Sequence, residues 1–156
     1  MRKLVRGPLL AAAILAGIAG IPLGYAFAQA SSPNEIVGVW EAENGSLKFE
    51  IFDAGGIYAG RMIFGDRMVE ADGKTFKKDT LNPDPKLRSR SLKGIVFVNN
   101  LKWDAADRRW EGGSLYDGSS GRTYSGRATL VNGKLELRGY VGTPVLGQTM
   151  LMRRVQ

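Results

Sequence analysis

The chain has 156 residues, with 22 Lys and Arg against 15 Asp and Glu and a formal net charge of +7. That length suits one ordinary domain once any targeting segment is set aside. With no Cys and no His, disulfides, thiolate nucleophiles, Ser-His-Asp or Cys-His catalysis, His-ligated zinc or haem and cysteine-bound iron–sulfur clusters are excluded; no cofactor and no metal is expected.

The first thirty residues form a separate unit. Arg2, Lys3 and Arg6 precede an apolar run from Leu9 to Leu23, and Ala26-Phe27-Ala28 supplies small residues where a signal peptidase reads them. Residues 1–28 are therefore expected to be a signal peptide cut between Ala28 and Gln29, with a cut after Ala30 as the second choice. The alternative, a retained anchor, needs about 20 apolar residues, and this run is shorter and is interrupted by Gly17, Gly20 and Pro22. The protein is expected to be periplasmic or secreted. Any membrane contact is expected to be through the signal segment or peripheral. Without residues 1–28 the chain keeps 19 basic and 15 acidic residues, net +4, a modest surplus that is not a nucleic-acid footprint. Cysteine-free, it meets an oxidising compartment without redox consequence.

Residues 29–35 read as a short linker and 36–156 as a single domain. The 128 residues after Ala28 include 17 glycines, about twice the ordinary share, and the glycines punctuate short runs whose apolar residues alternate with period two. Val37 to Glu41 opens the series. Leu47, Phe49 and Ile51 oppose Lys48 and Glu50; Asp53-Ala54-Gly55-Gly56 turns the chain, and Ile57 to Phe64 returns. Ile95 to Val98 is a short two-sided apolar run, compatible with a strand or one helical turn. Trp110 to Tyr116 alternates again, Asp117 to Gly121 is a loop, and Thr123 to Val131 returns. Asn132-Gly133 is a type I′ hairpin signal, since both residues accept positive φ. Lys134 to Val141 and Gln148 to Val155 complete about eight strands joined mostly by short turns.

Sequential antiparallel pairing of so many strands leaves two open edges unless the sheet closes. The spacing predicts an all-β, small antiparallel up-and-down barrel, with a two-sheet sandwich as the alternative. Glycines inside strands, among them Gly60, Gly112, Gly113, Gly126 and Gly139, suit barrel corners and bulges. One segment breaks the pattern. Residues 71–94 contain Asn82-Pro83-Asp84-Pro85, whose prolines forbid a central strand. From Lys74 to Lys93 there are seven basic and two acidic residues, a long irregular basic loop.

Several motifs resemble those of the bacterial domain of unknown function 2147 (DUF2147) family. They are Asp79-x-x-Asn82-Pro83-Asp84-Pro85-x-Leu87-Arg88-x-Arg90, Gly94, Trp110-Glu111-Gly112-Gly113-x-x-Tyr116-Asp117, Gly121-x-Thr123-Tyr124-Ser125 and Leu137-Arg138-Gly139-Tyr140-Val141-Gly142. The resemblance spans about residues 36–155 and implies a small exported bacterial protein with a lipocalin-like (calycin-like) barrel and no established activity; it supplies no catalytic residues. Gly118 stands where the family tends to have proline, and Gln148 and Met152 where it tends to have Arg and Trp. A ligand touched by that Arg and Trp in relatives would be held differently here. Gly38-Val39-Trp40 at the first strand, with Arg153 or Arg154 at the last, also resembles the lipocalin pattern in which a guanidinium covers the indole at the closed end. On these readings Gly38, Trp40, Trp110, Gly112, Gly113, Asn132, Gly133 and Arg154 are structural.

Two sets of residues are candidates for ligand binding. Arg88 and Arg90 would point the same way in an extended segment and clamp phosphate or carboxylate; the alternative is a solvated loop with its arginines paired to Asp79 and Asp84. Tyr116, Tyr124, Arg138 and Tyr140 form the second set. Arg138 needs a carboxylate or an anionic ligand if it points inward, but alternation with Leu135 and Leu137 favours outward. Asp79, Asn82 and Asp84 lack calcium-loop spacing. Glu41, Glu50, Glu111 and Glu136 are the carboxylates a hydrolase would need in facing pairs. The expected role is non-catalytic binding of a small amphipathic or anionic, lipid-like molecule, in a barrel either hollow or filled. The second reading is a cell-envelope protein whose basic loop meets anionic lipid, lipopolysaccharide or a protein partner. A carboxylate-dependent hydrolase is the third.

Overall fold

Eight strands close into one antiparallel barrel in the computed structural model, which describes residues 28–156. Nearly all of the predicted signal peptide, residues 1–27, lies outside the described residues. The strands are β1 (Gly38–Ala42), β2 (Leu47–Asp53), β3 (Tyr58–Gly65), β4 (Val96–Asp104), β5 (Arg109–Asp117), β6 (Arg122–Val131), β7 (Lys134–Tyr140) and β8 (Gln148–Arg154). Each pairs with its sequence neighbour, and β8 returns to β1 through Trp40–Arg154, Glu41–Arg153 and Ala42–Met152. Closure removes the free edges that a sandwich would leave. The helical elements among the described residues are 3-10 turns of three or four residues.

Alternation sets the core. Phe49 and Ile51 of β2, Leu135 and Leu137 of β7 and Met152 of β8 are buried, while their strand neighbours face out. Asn132 and Gly133 take φ of 52° and 75°, the positive values a type I′ hairpin requires. β4 is the exception. Pairing with β3 slips on both sides of Gly60, and Asn100 has φ 58°. Phe97 and Val98, and then Leu101, are therefore all buried. The bulges conceal a nine-residue strand behind a broken period.

The interior glycines serve two purposes. Gly112 (φ 70°) sits in a bulge of β5 that lets Trp110 and Gly113, three apart, share the inner face. Gly60, Gly113 and Gly126 instead make room. A Cβ on them would lie 2.8 Å from Val98, 2.6 Å from Leu101 and 2.9 Å from Leu115, and Leu115 also reaches Gly139. Side chains from neighbouring strands thus occupy the inner glycine positions, and the barrel is filled rather than hollow.

One end carries the β2–β3, β4–β5 and β6–β7 turns together with the chain's N-terminal segment and C-terminus, and it is plugged. The 3-10 turn Pro33–Ile36 lies across it. Trp40 Nε1 donates to Ile36 O (2.8 Å), Trp110 Nε1 to Pro33 O (3.1 Å) and the Tyr58 hydroxyl to Asn34 Oδ1 (2.6 Å). Arg154 stacks on Trp40, 4.3 Å from the ring centroid, and donates to Val37 O (2.7 Å) and Glu35 O. A Cβ at Gly38 would strike that guanidinium at 2.3 Å. Arg154, not Arg153, is the residue that covers the indole; Arg153 pairs with Glu41. The predicted linker also packs here. Gln29 bridges to Val131, Ala30 is fully buried, and Ala28 exchanges hydrogen bonds with Asn132.

Candidate functional site

The opposite, open end carries the long connection between β3 and β4, residues 66–95. It is ordered by a buried hub. The Asp79 carboxylate, fully buried, accepts from Arg90 Nε (2.9 Å), from Asn82 Nδ2 (2.8 Å) and from the Tyr116 hydroxyl of β5, and lies 2.8 Å from Arg90 Nη2 as an ion pair. Asn82 Oδ1 caps the Asp84 amide (2.9 Å), and the 3-10 turn Pro85–Leu87 then carries the chain back so that Asp79 N–H reaches Arg90 O (2.9 Å). The Asn-Pro-Asp-Pro turn is the means by which Arg90 returns to Asp79.

This geometry replaces the expected extended clamp. Arg88 lies in helical backbone with its Nε on Asn82 O (2.8 Å), while Arg90 is held by Asp79. The two arginines have different acceptors and do not act as a pair. Tyr116 joins the same hub. Arg138 faces outward, as alternation favours, and binds Pro144 O, Val145 O and Thr149 Oγ1. Tyr124 is half-buried on the inner face beside Gly139, and Tyr140 is half-buried against Gly147. Of the glutamates, Glu41 pairs with Arg153, Glu50 lies 3.8 Å from Arg61, and Glu111 lies between Arg109 and Arg127 as a charge contact without hydrogen-bond alignment. All three occupy outward positions. Among the described residues no cluster of three His, Cys, Asp or Glu could hold a metal ion.

Burial, and then the hydrogen bond to the Asp79 carboxylate, push the Tyr116 hydroxyl up from 10 to about 12. The folded protein therefore keeps a proton that the unfolded chain releases first. This contribution is whole below pH 10 and is lost as pH rises towards 12. Tyr116→Phe should cost about 1–3 kcal/mol near neutrality, because Asp79 loses a donor. That deficit should then shrink above about pH 10, because only the wild type titrates there. Urea unfolding midpoints across that range check it; a deficit that stays constant to the alkaline limit contradicts the assignment.

Beside the hub runs a groove of about 1020 Å3 between the 66–81 stretch and the β5–β6 turn. Phe76 and Leu81 supply its apolar surface over the buried Leu92, Arg67, Lys77 and Lys78 its cations, and Asp66 and Glu70 its carboxylates. Leu81 is 57% exposed. Gly118, where the resembling family tends to have proline, makes room for Leu92, whose Cδ2 would lie 2.5 Å from an added Cβ. A second cavity, about 290 Å3, lies at the plugged end between the N-terminal segment, Trp40 and Arg154. The groove escaped the sequence reading because Leu81 and Phe76 are isolated in a polar stretch. Its one local trace is the apolar residue placed between lysines at Phe76-Lys77-Lys78.

The profile of the family described as "Uncharacterized protein conserved in bacteria (DUF2147)" matches residues 38–154. Among solved structures the chain is similar to protein HP1028 of Helicobacter pylori, described as belonging to the lipocalin family. The two share 30% identity at a TM-score of 0.65, covering 78% of this chain and 83% of that one. No curated protein matched.

Proposed function

The chain belongs to the DUF2147 family and has a lipocalin-like barrel, and from that premise we propose that, after export, it binds a small amphipathic anion without catalysis. The observation that carries this reading is the groove at the open end, where Phe76 and Leu81 adjoin Arg67, Lys77 and Lys78. An acyl or other apolar body would lie on these two hydrophobic side chains. The cations favour an anionic head, which Asp66 and Glu70 would repel if it carried its charge deep into the groove. The interior is filled, so binding belongs at the rim and not inside the barrel. Family membership and the lipocalin-like fold support binding in general; the groove chemistry narrows the class.

Dodecyl phosphate is a suitable probe, titrated by calorimetry with native mass spectrometry for stoichiometry. Tryptophan quenching is a poor reporter, because Trp40 and Trp110 sit in the plug and Trp103 packs at a tilt against Trp110, with ring centroids 4.7 Å apart. One equivalent should bind, and Leu81→Asp should weaken binding about tenfold by removing half-exposed apolar area and adding a like charge. Absence of binding, or affinity indifferent to that substitution, would remove the groove from consideration.

A further inference from the structure

A separate apolar feature stands on the β7–β8 connection at the same end of the barrel. Val141, Val145 and Leu146 are 71%, 83% and 78% exposed. Single exposed hydrophobics are ordinary, but three within six residues on one connection make a patch. The connection is rigidly built. Arg138 Nε donates to Pro144 O (2.6 Å), Nη2 to Val145 O (3.3 Å) and Nη1 to Thr149 Oγ1 (2.6 Å). The amides of Thr143, Leu146 and Gly147 bond to Val141 O, Thr143 O and Pro144 O, and the Val145 amide to Thr143 Oγ1. Pairing of the amides around Val145 and Leu146 lowers the cost of moving that turn from water towards an apolar medium.

Charge points to the nature of that medium. Between Leu137 and Gln148 the only charged residue is Arg138, and there is no acidic one. Arg138 makes three hydrogen bonds of the five its guanidinium can donate, so N–H groups remain for an acceptor outside the protein. The basic stretch from Lys74 to Lys93, with seven cations against two carboxylates, leaves the barrel at this same end.

We propose that the open end docks on an anionic lipid bilayer. Val141, Val145 and Leu146 enter the boundary between headgroups and acyl chains, while Arg138 and the basic loop face lipid phosphates. Lys77 and Lys78 serve both readings, but Val141, Val145, Leu146 and Arg138 do not line the groove, so either can fail alone.

Among the described residues the core cluster runs from Ala30 to Met152, so the test uses residues 29–156, the expected product of export. The probe is vesicles of phosphatidylcholine with or without phosphatidylglycerol, read by co-sedimentation. The protein should partition onto the anionic vesicles, less onto neutral ones, and should be released by high salt. Val145→Asp with Leu146→Asp should lower the partition coefficient by a factor of roughly 30 or more. Both side chains are exposed, so the melting temperature should not change. Leu81→Asp, which adds one negative charge to the basic loop but leaves the tip unchanged, should lower vesicle binding much less than the double variant does. No partitioning by the wild type, or partitioning that the double variant retains, overturns the proposal. So does a wild-type dimer that the double variant dissociates, because a second copy would then cover the tip.

Discussion

Asp79→Ala should destabilise the protein by about 3–5 kcal/mol, the usual loss when one partner of a buried ion pair is removed. The carboxylate is fully buried and gathers four donor contacts from Arg90, Asn82 and Tyr116. Alanine leaves the Tyr116 hydroxyl and the Asn82 amide aimed at a void. The Arg90 side chain is 38% exposed and can recover some hydration, which favours the lower part of that range. Much of the effect should be local. Asp79 ties residues 66–95 to β5, so the variant should be cut by protease between Lys74 and Lys93 while the barrel survives. Arg90→Ala added to Asp79→Ala should cost little more, since the two substitutions remove the same contact. Urea unfolding and mapped proteolysis measure both parts. A variant within about 1 kcal/mol of wild type, with its loop still protected, would show that the hub does not hold the loop.

Trp40→Ala should cost a similar amount, about 3–5 kcal/mol, but by a different route and without a local phase. The indole is fully buried, donates to Ile36 O at 2.8 Å and lies under Arg154. Its removal opens a cavity at the plug and leaves the guanidinium over nothing. Arg154→Ala should cost clearly less, because the cation lies at the surface, where such stacking contributes about 0.5–1 kcal/mol, and its backbone acceptors can turn to water. Thermal and urea unfolding of the two variants test the ranking. If Arg154→Ala proves the more damaging, the closed end is held by its latch and not by the aromatic plug.

The contrast between these two sites reflects what each residue's surroundings reveal. Trp40 was legible, because Gly38-x-Trp40 at the first strand and an arginine at the last define a pairing that closure of the barrel brings together. Asp79 was legible only as part of a turn. Its partner Tyr116 is 37 residues away on β5, and no local spacing indicates that contact. The same limit applies to Arg88 and Arg90. An extended backbone predicts that they face one way, and the 3-10 turn after Pro85 separates them. β4 read as ambiguous because bulges around Gly60 and at Asn100 break the period that identifies a strand. The apolar tip at Val145 and Leu146 leaves no trace in the sequence, because isolated hydrophobics in a turn carry no pattern.

From the amino acids alone come the all-β class, the order of the strands apart from the ambiguous β4, the Asn132-Gly133 hairpin and the absence of thiol and imidazole chemistry. Alternation and turn preference act over a few residues and are written in the chain. Tertiary structure decided that the barrel is filled, that the family's Asp-x-x-Asn-Pro-Asp-Pro motif forms a buried hub, and that groove and apolar tip share one rim. Those outcomes depend on register, bulges and contacts between residues far apart in sequence, where one side chain's place is set by the space its neighbours leave.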